Sequence, residues 1–143
     1  MRDFKIMKYF LDTNIFLRHL VQDNERMHRE CRSLFIDIEK SKIKAVTNFY
    51  VFTEIVWMCV KNYKLPKDKI IKSLRAFQAM GIRLIDTVPE PARVLDLFEN
   101  NNVKFIDCLI AAALTKKKNI CLISYDKDFD KLEVKRKEPG EII

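Results

Sequence analysis

Short apolar runs alternate along the chain with longer stretches in which apolar residues recur every three or four positions. Residues 8–11, 44–46, 82–85 and 120–123 have the length and composition of buried strands. The spacing elsewhere predicts six amphipathic helices, two after each of the first three strands. Strands that are separated by helices favour a three-layer α/β/α sandwich around a mostly parallel central sheet.

Polar residues at the ends of the apolar runs predict where helices begin. Thr13 or Asn14 is expected to cap the first helix, and Asn48 to cap the third. Beyond the fourth strand, residues 124–130 are expected to form a loop with one helical turn. A charged segment then leads to a last short strand at Ile142–Ile143.

Length and composition indicate a single folded domain. The chain has 143 residues, of which 48% are hydrophobic and 33% charged, which is typical of a globular protein and excludes a disordered one. Two glycines and four prolines leave little room for linkers. We therefore expect one domain over residues 1–143, with residues 1–6 as an extension and residues 135–143 as a charged tail.

The charge balance bears on the partner. Lysines and arginines outnumber acids, and the net charge of +7 favours an anionic partner, of which nucleic acid is the obvious candidate. A basic surface that is merely solvated is an equally ordinary explanation of the same balance. The charge alone therefore does not decide the function.

The sequence favours a soluble protein of the cytoplasm. The first residues do not lead into the uninterrupted apolar segment of a secretory signal, and the longest apolar stretch, residues 45–60, contains several polar residues. Cys31, Cys59, Cys108 and Cys121 lie in separate segments without a C-x-x-C pair. Isolated cysteines in apolar surroundings are typical of small core residues in a reducing compartment.

Two acids follow strands directly. Asp12 ends the first strand, and Asp126 comes shortly after the fourth. In parallel α/β sheets, ligands bind in the crevice outside the carboxyl ends of the strands, so both acids are expected to face such a crevice. Asp128 is a candidate auxiliary ligand in the same segment, whereas Asp130 is expected to face solvent.

Glu54 has no local partner for its charge. It lies on the third predicted helix, where its neighbours three and four residues away are Tyr50, Val51, Trp57 and Met58. None of these side chains can pair with a carboxylate. The local sequence therefore offers no ordinary reason for an acid at this position.

Asp107 is similar. The sixth predicted helix is apolar all round, which marks a buried helix, and Asp107 shares a face with Ile110 and Leu114. Lys104 is the only local cation within reach. An ordinary explanation for either Glu54 or Asp107 is pairing with a distant lysine or a backbone amide.

A divalent cation explains all four acids together. Buried carboxylates that converge repel one another and raise one another's pKa, and a cation removes both costs. The ligands are hard oxygens, and His19 and His28 are expected at the surface or at helix ends. Mg²⁺ or Mn²⁺ is therefore expected rather than zinc.

Four short motifs, in this order, resemble those of PIN-domain ribonucleases, most closely the toxins of VapBC-type toxin–antitoxin pairs. They are Phe10-Leu11-Asp12-Thr13-Asn14, Thr53-Glu54, Asp107-Cys108-Leu109-Ile110-Ala111-Ala112 and Ser124-Tyr125-Asp126-Lys127-Asp128-Phe129. The resemblance covers nearly the whole chain from Met7 onward. It implies an α/β/α fold and cleavage of RNA that depends on magnesium or manganese.

The resemblance also implies roles and partners. The acidic quartet would be Asp12, Glu54, Asp107 and Asp126, which would bind the metal and carry catalysis. Supporting polar residues at the site would be Thr13 or Asn14 and Ser124. A homodimer and a small antitoxin, whose tail lies across the active site, are the implied protein partners.

Three alternatives remain at this stage. A phosphohydrolase of the haloacid dehalogenase type also has an acid after its first strand, but that chemistry usually needs a second Asp two residues on, where Asn14 stands. The second is a catalytically inert module of the same fold that binds RNA or a protein. The third is a nuclease that cleaves structured DNA.

Overall fold

Five parallel strands form the central sheet of the computed structural model, which describes residues 6–143. The strands are β1 (Lys8–Leu11), β2 (Ala45–Thr47), β3 (Arg83–Leu84), β4 (Ile120–Ile123) and β5 (Arg136–Lys137). They lie in the order β3-β2-β1-β4-β5, and every pair of neighbours is parallel. The predicted extension, residues 1–6, lies outside the described residues except for Ile6.

Six α-helices connect the first four strands. They are α1 (Thr13–Leu20), α2 (Glu25–Glu39), α3 (Phe49–Lys61), α4 (Lys67–Ala79), α5 (Pro91–Asn100) and α6 (Phe105–Leu114). Two helices follow each of β1, β2 and β3, as the hydrophobic spacing predicts. The predicted three-layer α/β/α fold is therefore confirmed, with an all-parallel sheet.

The core surrounds the two central strands. Phe10 and Leu122 are fully buried because β1 and β4 are covered on both faces. Phe16 of α1 lies with its ring centroid 4.8 Å from that of Phe77 on α4 and 5.8 Å from that of Phe35 on α2. Phe52 of α3 lies 6.3 Å from Phe16, so this aromatic cluster joins the first four helices, whereas α5 and α6 pack on each other.

The helix starts follow the predicted caps in one case and not in the other. The side chain of Asn48 accepts a hydrogen bond from the Val51 amide at 3.1 Å, so the predicted cap of α3 is confirmed. The prediction for α1 is wrong, because Thr13 is already helical and Asp12 occupies the N-cap position. The Asp12 side chain makes no capping hydrogen bond and is used elsewhere.

The prediction of a last strand at Ile142–Ile143 is also wrong. The last strand is β5, where Arg136 is in register with Leu122 of β4. Residues Pro139–Glu141 then form a 3-10 helix. Two charged residues carry no apolar signal for a strand, and only the pairing with β4 reveals it. The predicted charged tail thus completes the sheet.

The predicted loop after β4 contains a 3-10 helix at Lys127–Lys131, as expected. The four cysteines are all free and buried, in agreement with the prediction that they are core residues. Of the helices in the described part of the chain, none combines the length and the apolar character needed to cross a membrane.

Candidate active site

The carboxyl ends of β1 and β4 bring the first two site residues together. Leu11 is in register with Ile123, so the next residues, Asp12 and Ser124, lie side by side where the strands end. The Asp12 amide donates to the Ile123 carbonyl at 3.0 Å, which extends the ladder by one more bond. Parallel pairing alone therefore positions Asp12 at this edge.

Ser124 connects two of the predicted acids. Its hydroxyl donates to Oδ2 of Asp12 at 2.7 Å and accepts from the Asp126 amide at 3.0 Å. A serine hydroxyl has a single proton, and the Asp126 amide is already a donor, so that proton points to Asp12. Ser124 is fully buried, which holds the Asp12 carboxylate in one orientation.

The two helical acids reach the same crevice from α3 and α6. Asp107 lies in the first turn of α6 and is 5% exposed, and Glu54 is half-buried on α3. These helices follow β2 and β3 and contact each other. The structure thus brings Asp12, Glu54, Asp107 and Asp126 into one electrostatic cluster, although they lie far apart in sequence.

The raised pKa of Asp12 reflects its burial and the nearby acids. Burial raises the pKa of Asp12 from 3.8 to about 6. Hydrogen bonds from Ser124 and from the Thr13 backbone oppose that rise, while the charges of Glu54 and Asp126 add to it. The hydrogen-bond donors therefore stabilise the ionised carboxylate of Asp12, and the neighbouring acids destabilise it.

The pKa of Asp107 is raised further, from 3.8 to about 7. Burial is the main cause, and the charges of Asp12, Asp126 and Glu54 add to it. Lys104 opposes the rise and is thus the local cation that the sequence indicates, but it does not neutralise the group. Pairing with a lysine, the ordinary explanation, does not account for Asp107.

Two buried oxygens without hydrogen-bond partners among the described residues are candidate ligands for a metal ion. Oδ2 of Asp107 and Oγ1 of Thr13 are both buried without a hydrogen-bond partner in the described part of the chain. Buried polar atoms are nearly always paired, so each orphaned atom calls for a partner that the protein does not supply. Carboxylate and hydroxyl oxygens are donors of the kind that Mg²⁺ and Mn²⁺ accept.

The spacing of the acids limits how such an ion could be held. In residues 6–143, no three of the His, Cys, Asp and Glu side chains are gathered closely enough to hold an ion by themselves. The four acids nevertheless interact through space, as the pKa values of Asp12 and Asp107 show. Mg²⁺ commonly keeps several waters and takes only one or two carboxylates directly. The residues therefore fit a hydrated ion with few direct ligands.

The remaining predicted residues lie around this cluster. Asp126 is the acid of its segment that raises the pKa of both Asp12 and Asp107. Asp128 instead pairs with Lys131 at 3.3 Å, and its amide donates to Oδ1 of Asp126 at 2.9 Å. Asn14 is half-buried in the first turn of α1.

Sequence reasoning missed Arg136, which supports the site from β5. Its side chain is only 11% exposed and donates to the Ser124 carbonyl at 3.0 Å. It also donates to both carboxylate oxygens of Asp130, at 2.9 and 3.1 Å. The sequence places Arg136 between two lysines in a charged segment, a pattern typical of a solvated end. The charged tail predicted for residues 135–143 therefore contains a largely buried arginine.

Tyr125 is a second residue that the sequence did not single out. Its hydroxyl donates to Glu30 of α2 at 3.0 Å, and Arg26 lies 6.0 Å from the centre of its ring. Tyr125 stands between Ser124 and Asp126, so this contact anchors the segment that carries both. A pairing across the fold leaves no local signal in the sequence.

The fold and the site together define the class. The protein is an α/β/α protein with a parallel sheet of five strands and four acids near the carboxyl edge of that sheet. A comparison with protein families matches the PIN domain over residues 9–135. Because this match spans most of its length, the chain belongs to the PIN domain family. The family predicted from the four motifs is thus confirmed.

A comparison with solved structures finds a similar fold in the crystal structure of VapBC2 from Rickettsia felis bound to a DNA fragment from their promoter. The TM-score is 0.63 at 17% sequence identity, and the alignment covers 92% of this chain and 98% of the other. At that identity the likeness establishes a shared fold. A comparison with curated proteins gives no significant match.

Proposed function

We propose that the protein is a metal-dependent endoribonuclease that hydrolyses RNA phosphodiester bonds. The observation that carries the proposal is the cluster of Asp12, Glu54, Asp107 and Asp126, in which one buried oxygen of Asp107 has no partner in the described part of the chain. Membership of a family whose members are generally nucleases supports it. The net charge of +7 suits a polyanionic substrate.

Each residue of the site has a proposed role that follows from its position. Asp12, Asp107 and Asp126 would hold a hydrated Mg²⁺ or Mn²⁺ directly or through its bound waters, and Glu54 would contribute in the same way. Such an ion lowers the pKa of a bound water and neutralises charge on a phosphodiester. Ser124 keeps Asp12 oriented, and Glu54 would accept a hydrogen bond from the attacking water. Thr13, Asn14 and Asp128 would support the site around these acids.

The biological setting is proposed with it. We place the protein among the toxins of type II toxin–antitoxin pairs in the cytoplasm, with a small cognate antitoxin. Support comes from the four motifs and from the fold shared with VapBC2 of Rickettsia felis, and four free cysteines suit a reducing compartment. A housekeeping ribonuclease of the same fold is the alternative, which a neighbouring gene for an antitoxin would exclude.

We further propose that the protein forms a homodimer through α3. Phe49 is 71% exposed, Trp57 56% and Val60 49%, and these side chains lie along one side of the helix. Between them, the Thr53 hydroxyl donates to the Phe49 carbonyl at 2.7 Å, so it needs no partner outside the helix. An exposed apolar stripe of this kind marks a protein contact, and antiparallel packing on a second copy would bury both stripes.

Cleavage of a labelled RNA tests the proposed activity. With Mg²⁺ or Mn²⁺ the wild type is expected to cut RNA, while excess chelator or Asp12→Asn abolishes the cutting and leaves the fold intact. Asp68→Asn, which removes an exposed acid at the start of α4, is the matched control and keeps full activity.

Full activity of Asp12→Asn, or of the wild type in chelator, would overturn the mechanism. RNA bound without turnover at every Mn²⁺ concentration would instead support the inert module. Preferred cutting of DNA in the same assay would support a deoxyribonuclease, and a covalent phosphate on Asp12 would support phosphohydrolase chemistry.

A further inference from the structure

A group of lysines gathers at the amino edge of the sheet, opposite the acids. Lys8 begins β1, Lys44 directly precedes β2, and Lys116–Lys118 lie just before β4. The backbone joins them, because the Tyr9 amide donates to the Lys44 carbonyl at 2.9 Å and the Lys8 amide donates to the Asn119 carbonyl at 2.8 Å. Parallel strands begin at one edge, so the topology concentrates these charges. We call these five residues the amino-edge lysines.

The amino-edge lysines line one groove of about 820 Å³. All five are exposed. Asp86 is the acid of this groove, and Lys116 lies 4.0 Å from Glu90. Within residues 6–143, the other four lysines have no carboxylate within ion-pair distance. The groove is therefore strongly positive, and its charge is largely free to meet a ligand.

The chemistry of the groove favours phosphate groups over bases. Lys8 and Lys44 lie beside each other where two adjacent strands begin, their like charges repel, and a bound polyanion removes that repulsion. No aromatic side chain of the described residues lines the groove, so it offers no surface for base stacking. Lysines meet phosphates as point charges and carry no sequence information.

We propose that the amino-edge lysines bind the phosphate backbone of a long RNA substrate away from the bond that is cut. This rests on the proposed ribonuclease activity. Lys8 and Asp12 are four positions apart along β1, which corresponds to about 13 Å through the sheet, and the surface path around the helices is longer. We expect a trinucleotide held at the acids to be too short to reach the groove, whereas a long, folded RNA reaches it.

Two triple variants test the proposal at equal charge. Lys8→Gln/Lys44→Gln/Lys118→Gln changes the groove, and Lys67→Gln/Lys69→Gln/Lys72→Gln removes three exposed lysines from α4. Binding of a long, base-paired RNA is measured over a range of salt concentrations, with Asp12→Asn added so that no RNA is cut. Cleavage of a trinucleotide is measured in chains that keep Asp12.

The groove variant is expected to bind the long RNA about tenfold or more weakly near physiological salt, with a salt slope smaller by about 2. The α4 variant should stay within about twofold of the wild type. All three proteins should cut the trinucleotide equally. The matching Lys→Arg triple variant should restore binding, which separates lost charge from lost fold.

Equal losses in the two glutamine variants would overturn the proposal, as would an unchanged salt slope in the groove variant. Tighter binding of duplex DNA through the same lysines would overturn it in favour of a DNA contact. Failure of the proposed activity has a different signature, because the wild type would then cut no RNA of any length while the binding measurements still decide the role of the groove.

Discussion

Asp12 and Asp107 are carboxyls whose ionisation is made costly by the fold. Their pKa values of about 6 and about 7 lie above the ordinary 3.8, because both groups are buried next to other acids. Asp12 has the Ser124 hydroxyl as a partner, whereas Oδ2 of Asp107 has none among residues 6–143. Ionising these two groups therefore costs free energy, which a bound cation would reduce.

The sign of the resulting pH dependence follows from the raised pKa values. Between about pH 4 and pH 7 the folded chain holds more protons on these groups than the unfolded chain does. The free energy of unfolding in chelator should therefore fall as pH rises through this window. For Asp107 we expect a loss of about 2–3 kcal/mol between pH 5 and pH 8.

Urea unfolding at pH 5 and pH 8 in chelator checks this expectation against Asp107→Asn, which has no charge to bury. The stability of the variant relative to the wild type should increase between the two pH values, and Mg²⁺ at pH 8 should stabilise the wild type more than the variant. A difference that stays the same at both pH values would contradict the assignment of Asp107 as a buried, strained acid.

At the scale of elements, the short strand β5 supports the site through one side chain. Arg136 joins three groups that belong to different segments: the Ser124 carbonyl at 3.0 Å, Asp130 in a two-pronged contact, and Glu138 at 3.2 Å. Hydrogen bonds from a guanidinium to a carboxylate are among the stronger ones in proteins. A strand of two residues thus holds the loop that presents Ser124 and Asp126.

Arg136→Met should therefore lower the free energy of unfolding by about 1–3 kcal/mol, since it leaves a buried carbonyl and a carboxylate without their donor. Ribonuclease activity should fall as well, because Ser124 loses its anchor. Arg29→Met removes the exposed pair with Glu25 and should cost less than about 0.5 kcal/mol. A similar small loss for Arg136→Met, measured by urea unfolding, would show that β5 does not support the site.

At the scale of the whole molecule, charge and apolar surface are segregated. The acids lie at the carboxyl edge of the sheet, the amino-edge lysines at the opposite edge, and the apolar stripe of Phe49, Trp57 and Val60 along α3. The first two surfaces follow from topology, because parallel strands place their starts and their ends at opposite edges. The proposed metal site and the proposed RNA groove therefore lie apart.

The proposed dimer is tested by light scattering. The wild type should have twice the mass of one chain, while Trp57→Lys/Val60→Lys should have the mass of one chain and keep its activity on a short RNA. Leu95→Lys on α5 is the matched control, since Leu95 is 60% exposed and lies outside the stripe. A monomeric wild type, or a monomer produced by Leu95→Lys alone, would refute a dimer through α3.

Much of the fold was readable from the sequence because its signals are local. The alternation of apolar runs with helical spacing depends on neighbouring residues and predicted four of the five strands and all six helices in order. The cap of α3 at Asn48 is likewise a local contact. The strand β5 was not predicted, because only its pairing with β4 identifies it. The role of Arg136 was not predicted either, because its partners come from several segments.

The four acids show the same division between local and distant causes. The sequence by itself determined that Glu54 has no local partner, that Asp107 has only Lys104 within reach, and that Asp12 and Asp126 follow strands, since those properties belong to a helix face and a strand end. Only the tertiary structure decided that the four lie in one cluster and that Ser124 joins Asp12 to Asp126. The physical reason is that burial and Coulomb interactions depend on distances through space, which chain order does not specify.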